Sequence, residues 1–206
     1  LIVSVLKQKF KAHSTQGNFN NHIGVPISIL NIPMDCEVAI IELGTNHPGE
    51  IEALCKITAP THGLITNIGK EHLEGFGTLE AVAKEESEIY HYLLKNNGVA
   101  LVNKDDDWLK RMSRSIQNIH YYSKNNVDII STVPAIEILV ENRKIKSPLM
   151  GDYNLDNMLA AITIGQQLGL TIDEIQSGIE SYIPENNRSQ WIHQNSNDIW
   201  LYAHKA

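Results

Sequence analysis

The feature that most constrains this chain is a repeated change of hydrophobic period. Short apolar runs rich in β-branched residues are followed, again and again, by segments whose apolar residues recur at helical spacing. Residues 37–43, Glu-Val-Ala-Ile-Ile-Glu-Leu, form the first such run, bounded by Asp35 and Gly44. A helical pattern follows over 48–57, then a strand over 63–68 and a polar loop to Gly77. Thr78 is positioned to cap a helix reaching about Leu94, with Glu80 and Glu85 favoured near its positive end. Asn97-Gly98 ends that helix, and a strand over 99–102, a helix over 106–115 and a strand over 119–122 complete the series. Continuous apolar strands are those covered on both faces, and parallel strands need crossover helices. The pattern therefore predicts an α/β fold, a mostly parallel sheet flanked by helices.

From 127 to 149 the texture changes. Runs at 127–133, 135–140 and 144–146 are separated by polar turns and predict a small antiparallel insert. Helices are expected again over 155–168 and 172–182, separated by Gly169, and a last strand over 199–201. The first ten residues have helical spacing without an initial Met, a basic start or a cleavage site. The last seven, 200–206, stop as a strand pattern gives way to a loop. Both ends predict a piece of a longer protein.

Composition narrows the partners. Asp plus Glu number 24 against 17 Lys plus Arg, a net charge of −7, and no basic run offers a footprint for nucleic acid. At 42% hydrophobic the chain is too apolar for disorder, while no apolar stretch approaches the ~20 residues of a membrane helix. Cys36 and Cys55 are too few for a disulfide framework and read as reduced core thiols. A soluble cytoplasmic domain is expected.

Open α/β sheets bind ligands beyond the carboxyl ends of their strands. Glu42 ends one strand, ahead of Gly44-Thr45-Asn46-His47-Pro48-Gly49-Glu50; Asn67 ends the next, ahead of Gly69-Lys70-Glu71-His72. A carboxylate and an imidazole there can converge on a divalent ion, or can serve only as loop caps and surface ion pairs. A third polar loop, Gly17-Asn18-Phe19-Asn20-Asn21-His22-Ile23-Gly24-Val25-Pro26, offers backbone amides to a ligand or simply caps a helix near Ile27. Asn154 and Asn157 share a face of a helical turn, and carboxamides match the donor and acceptor edge of adenine. The pattern G-x-x-x-x-G-K-[ST] occurs nowhere in the 206 residues.

Together these strings resemble the Mur ligases. The resemblance is carried by 17–26, by Ile41-Glu42-Leu43-Gly44-Thr45-Asn46-His47-Pro48-Gly49-Glu50-Ile51, and by Thr66-Asn67-Ile68-Gly69 with His72-Leu73-Glu74-Gly75-Phe76-Gly77. It continues in Asn154-Leu155-Asp156-Asn157 and Asn187-Arg188-Ser189-Gln190, so that five strings follow the family's order. The resemblance implies that residues 1–206 are the central ATP-binding domain of a three-domain enzyme. It implies ATP-dependent ligation through an acyl phosphate, with ATP and magnesium (Mg2+), a UDP-linked muramoyl tripeptide and D-Ala-D-Ala, in a cytoplasmic monomer. It makes Glu42 and His72 metal-associated and Arg188 and His72 catalytic. Asn67, Asn154, Asn157 and Arg188 become ATP-binding, and Asn18, Asn21 and His47 substrate-binding.

Three departures accompany it. The family's phosphate loop is expected immediately before Leu1. Glu86 stands where the family carries a carbamylated lysine, with Lys84 two residues earlier, and the family's Asp-Ala-Tyr-Asn-Ala-Asn-Pro hinge is met only by Tyr202-Ala203-His204-Lys205-Ala206. A sister amide ligase such as folylpolyglutamate synthase, or a degenerate nucleotide-binding module, are the alternative readings.

Overall fold

The computed structural model describes residues 1–69, 73–184, 190–194 and 197–201. In chain order these form α1 (Ile2–Leu6), β1 (Ala12–Ser14), α2 (Gly24–Leu30), β2 (Val38–Ile40), α3 (Glu50–Thr58), β3 (His62–Leu64), α4 (Leu73–Phe76), α5 (Leu79–Glu86), α6 (Glu88–Lys95), β4 (Val99–Asn103), α7 (Asp107–Met112) and β5 (Ile119–Tyr122). There follow β6 (Asp128–Ser131), β7 (Ile136–Val140), β8 (Arg143–Ser147), α8 (Asp152–Gln167), α9 (Ile172–Glu180), β9 (Gln190–Gln194) and β10 (Asn197–Leu201). Two compact units result: Lys9–Ser123, and Leu1–Gln8 together with the described residues from Lys124 onward.

The contiguous unit carries the parallel strands. β1 pairs with β2, matching Ala12 to Val38 and Ser14 to Ile40, and β3, β4 and β5 form a second parallel set with β4 central. Its core gathers Ile65, Tyr90, Leu93, Ala100, Val102, Leu109 and Ile116. Burying a side chain the size of Leu93 contributes about 1.5–3 kcal/mol. Gly63 in β3 lets α6 lie directly on the sheet, since a Cβ there would meet Leu93 Cδ1 at 2.7 Å.

Several expectations change here. The parallel strands fall into sets of two and three, and β1, only three residues long, carried no readable alternation. The helix expected from Thr78 to Leu94 is two helices meeting at Ser87, whose Oγ donates to Lys84 O at 2.8 Å and competes with the helical ladder. The polar loop before Gly77 contains the one-turn α4. Cys55 is a buried core thiol, but Cys36 is only half-buried, with Sγ donating to Val38 O at 3.2 Å.

In the other unit, β6, β7 and β8 are antiparallel, as the sequence predicted, and β9 pairs antiparallel with β10. The β7–β8 turn has Glu141 and Asn142 both at positive φ, 49° and 63°, the conformation of a two-residue hairpin loop. Alternate residues Ile136 and Ile138 turn inward with Ile145 of β8. α9 opens on a reciprocal capping box between Thr171 and Glu174. It meets α1 backbone to backbone: Ser4 Oγ donates to Gly178 O at 2.6 Å, and a Cβ on Gly178 would lie 2.5 Å from Val5 Cα. Among the described residues no helix is long and apolar enough to cross a membrane.

Candidate active site

The loops leaving β1 and β2 are tied to each other. Thr15 Oγ1 accepts the Glu42 N–H at 2.9 Å, and Asn20 Nδ2 donates to Glu42 Oε1 at 2.8 Å. The Asn20 carbonyl accepts the Gly44 N–H at 2.7 Å, and the Asn20 side chain fills the space where a Gly44 Cβ would stand. Glu42 is thus an exposed carboxylate with one oxygen held in place. α4 abuts the same region, because Gly75 approaches the Asn46 carbonyl so closely that no side chain would fit. Three of the strings singled out in the sequence therefore meet within this unit.

Two carboxylates organise the loop between β2 and α3. Glu50 accepts the N–H groups of Asn46 at 2.6 Å and His47 at 2.9 Å and the Thr45 hydroxyl at 3.2 Å. The Asn46 N–H first, then that of His47, holds the Glu50 carboxyl below its ordinary range. Glu85 comes from α5 and is only 6% exposed. Its Oε2 accepts the Gly49 N–H at 2.8 Å, and its Oε1 accepts the Ile51 N–H at 2.9 Å and lies 3.5 Å from Thr45 Oγ1. Glu85 was expected to serve the start of its own helix; instead it serves that of α3. Beyond β3, Asp106 Oδ2 accepts the Ile68 N–H at 3.2 Å while Oδ1 caps α7 through Trp108 and Leu109.

The residues expected to bind ligand are distributed unevenly. Asn18 and Asn67 are exposed in their loops, and the His47 side chain is 77% exposed, 3.6 Å from Glu50. Asn21 has its carboxamide oxygen engaged, accepting from Ile23 and Gly24 as α2 begins. In the second unit Asn154 is buried and donates to Met150 O at 2.9 Å, while Asn157 Nδ2 donates to Asn154 Oδ1 at 3.4 Å, so the two do share one face. His72 and Arg188 lie outside the described residues.

Sequence reasoning missed Thr15, Asn20, Glu85 and Asp106 as organisers of these loops. Glu50 alone had a local signal, an acid in the first turn of its helix. For a metal, the described residues supply one exposed hard oxygen donor at the strand end, Glu42, and no group of three or more His, Cys, Asp or Glu. One carboxylate suits Mg2+, which keeps most of its waters and takes other ligands from phosphate.

Comparison with known proteins agrees with this geometry. The family model for the Mur ligase middle domain matches residues 1–165. The UDP-N-acetylmuramoyl-tripeptide–D-alanyl-D-alanine ligase of Haemophilus influenzae is 38% identical over 182 residues, covering 81% of this chain and 38% of that protein. A crystal structure of MurF from Acinetobacter baumannii superposes with a TM-score of 0.87 at 27% identity, over 100% of this chain and 47% of that one. MurF ligase from Thermotoga maritima in complex with ADP gives 0.82, again at 27% identity, over 97% and 48%. The chain thus spans less than half the length of these relatives. A match over most of the chain, joined to strand-end loops that meet at Glu42, makes this chain a member of the Mur ligase family through its middle domain.

Proposed function

We propose that residues 1–206 form the ATP-binding middle domain of an ATP-dependent amide ligase of peptidoglycan precursor synthesis. The reaction joins D-alanyl-D-alanine to a UDP-N-acetylmuramoyl tripeptide. The observation that carries this reading is the 38% identity to the Haemophilus influenzae ligase of that name. The substrate carboxylate attacks the terminal phosphoryl group of ATP, giving an acyl phosphate and ADP. The dipeptide amine then attacks the acyl carbon, loses a proton, and phosphate leaves as the amide forms.

This chain's residues divide the work. Asn67, Asn154 and Asn157 bind the nucleotide, Asn157 presenting its carboxamide to the adenine edge and Asn154 anchoring it there. Asn18, Asn21 and His47 line the substrate side, Asn21 through its NH2 because its oxygen is engaged by α2. Glu42 and His72 would hold Mg2+, which when bound neutralises charge on the phosphoryl oxygens. Arg188 holds a phosphoryl oxygen with a planar, bidentate guanidinium. The protein works as a cytoplasmic monomer.

The test is product analysis with the full protein, ATP, Mg2+, UDP-muramoyl tripeptide and D-Ala-D-Ala. Equimolar ADP, phosphate and pentapeptide are expected. Turnover only with a folate and glutamate would point to the sister ligase. Nucleotide binding without turnover on either substrate pair would point to a non-catalytic module.

A further inference from the structure

Glu85 stands out among the buried groups of the contiguous unit. A carboxylate only 6% exposed has been taken out of water, and its hydrogen-bond partners among the described residues are two backbone N–H groups and a hydroxyl. Each partner lies in one short stretch, Thr45, Gly49 and Ile51, which runs from the end of β2 into α3. The same stretch carries His47. Gly49 there is in the left-handed region at φ +88°, with open space where a Cβ would be. The Gly49 carbonyl is held by the Ala53 N–H at 3.2 Å, and its N–H by Glu85.

From these contacts we infer that Glu85 is a positioning residue for substrate binding: by holding the 45–51 backbone against α5, it sets where His47 presents its side chain. This rests on the proposed reading of the site as that of a peptide-joining ligase. Glu50 cannot replace Glu85, because it bonds Asn46 and His47 on the near side of the loop and leaves the Gly49 and Ile51 N–H groups unserved. Those two belong to the start of α3, where a fixed negative charge is favoured and its loss leaves the buried Ile51 N–H unpaired.

The experiment compares wild type, Glu85→Gln and Glu85→Ala in the full ligase. Glu85→Gln keeps the shape but presents an NH2 to one backbone donor. The readouts are KM for the UDP-muramoyl tripeptide, KM for ATP, kcat, melting temperature and amide exchange at Gly49 and Ile51. For Glu85→Gln we expect faster exchange at these two amides and a rise of about 10-fold in KM for the tripeptide, the scale of a small misplacement. KM for ATP should stay within about twofold. Should Glu85→Ala fail to fold, Glu85→Gln decides alone. Unchanged tripeptide KM, or equal shifts in both KM values tracking the melting temperature, would overturn the inference while leaving the ligase reading intact. A wild-type protein inactive on the tripeptide overturns the ligase reading and the inference with it.

Discussion

The loop after β2 and the first turn of α8 both carry residues assigned to ligand, yet they are held in opposite ways. The β2 loop is fastened from a distance: Glu85 reaches Gly49 and Ile51 across 36 and 34 residues, and Asn20 reaches Glu42 across 22. The α8 turn is fastened by itself, with Asn154 bonding Met150 four residues back and Asn157 bonding Asn154 three residues back. A loop held from elsewhere can be moved without losing its own residues. A turn that holds itself draws its anchor and its ligand contacts from neighbouring side chains, Asn154 and Asn157, so the two roles can be told apart only residue by residue.

Four experiments sharpen that contrast, and the largest effect is expected at Glu42. Glu42→Gln in the full ligase should lower kcat on the order of 10²-fold or more, the scale of one electrostatic stabiliser. Its melting temperature should barely move, because the side chain is exposed and an amide oxygen can still accept from Asn20. Parallel loss of activity and stability would instead make Glu42 a strand-end structural residue.

At α8 the two asparagines should separate by burial. Asn154→Ala removes a buried donor from the Met150 carbonyl and should cost about 1–3 kcal/mol in urea unfolding. Asn157→Ala is half-buried and should cost less than about 1 kcal/mol, while weakening ADP binding about 10-fold in calorimetry. Equal unfolding costs would break the idea that Asn154 is the anchor of the pair.

Acid should loosen the β2 loop through Glu50. Its carboxyl is held below the ordinary value of 4.5 in the folded state, so its contribution is present above that value and lost as pH falls through the folded one. The melting gap between wild type and Glu50→Gln should therefore be open at neutral pH and close on acidification below about 4.5. A gap independent of pH would mean that shape, not charge, is what the Asn46 and His47 amides require.

The smallest effect is chemical. Burial, reinforced by Glu88, pushes the Cys55 thiol up to about 12, so it should resist iodoacetamide until the chain unfolds. Cys36, half-buried, should be alkylated in the native protein with little change in melting temperature. Mass spectrometry of native and urea-treated samples checks both.

Much of this was legible in the sequence, for reasons that differ by region. The apolar strands and the antiparallel insert were readable because burial on a pleated or helical face leaves a period. β1 was not, since Ala-His-Ser is too short to show one. The break at Ser87 was hidden because apolar spacing runs on across it; the cause is a single hydroxyl bonding backward. Glu42 and Asn67 drew notice because strand ends are where α/β sheets bind ligands. Glu85 could not. An acid on a charged helical stretch reads as solvated, and backbone amides far along the chain carry no side-chain signature by which to pair with it.

Gly178 carries a consequence for the order of synthesis. Ser4 and Val5 meet their partners at Gly178 and Gly165 only after the whole of Lys9–Ser123 has been made. The inner segment contains all the strands and helices of its own unit and should fold on its own; protease resistance of Lys9–Ser123 expressed alone would confirm it, and rapid degradation would refute it. Val5 and Leu6 are almost fully covered in the finished molecule. The covering of α1 thus waits on a residue made 174 positions later, which ties its burial to completion of α9.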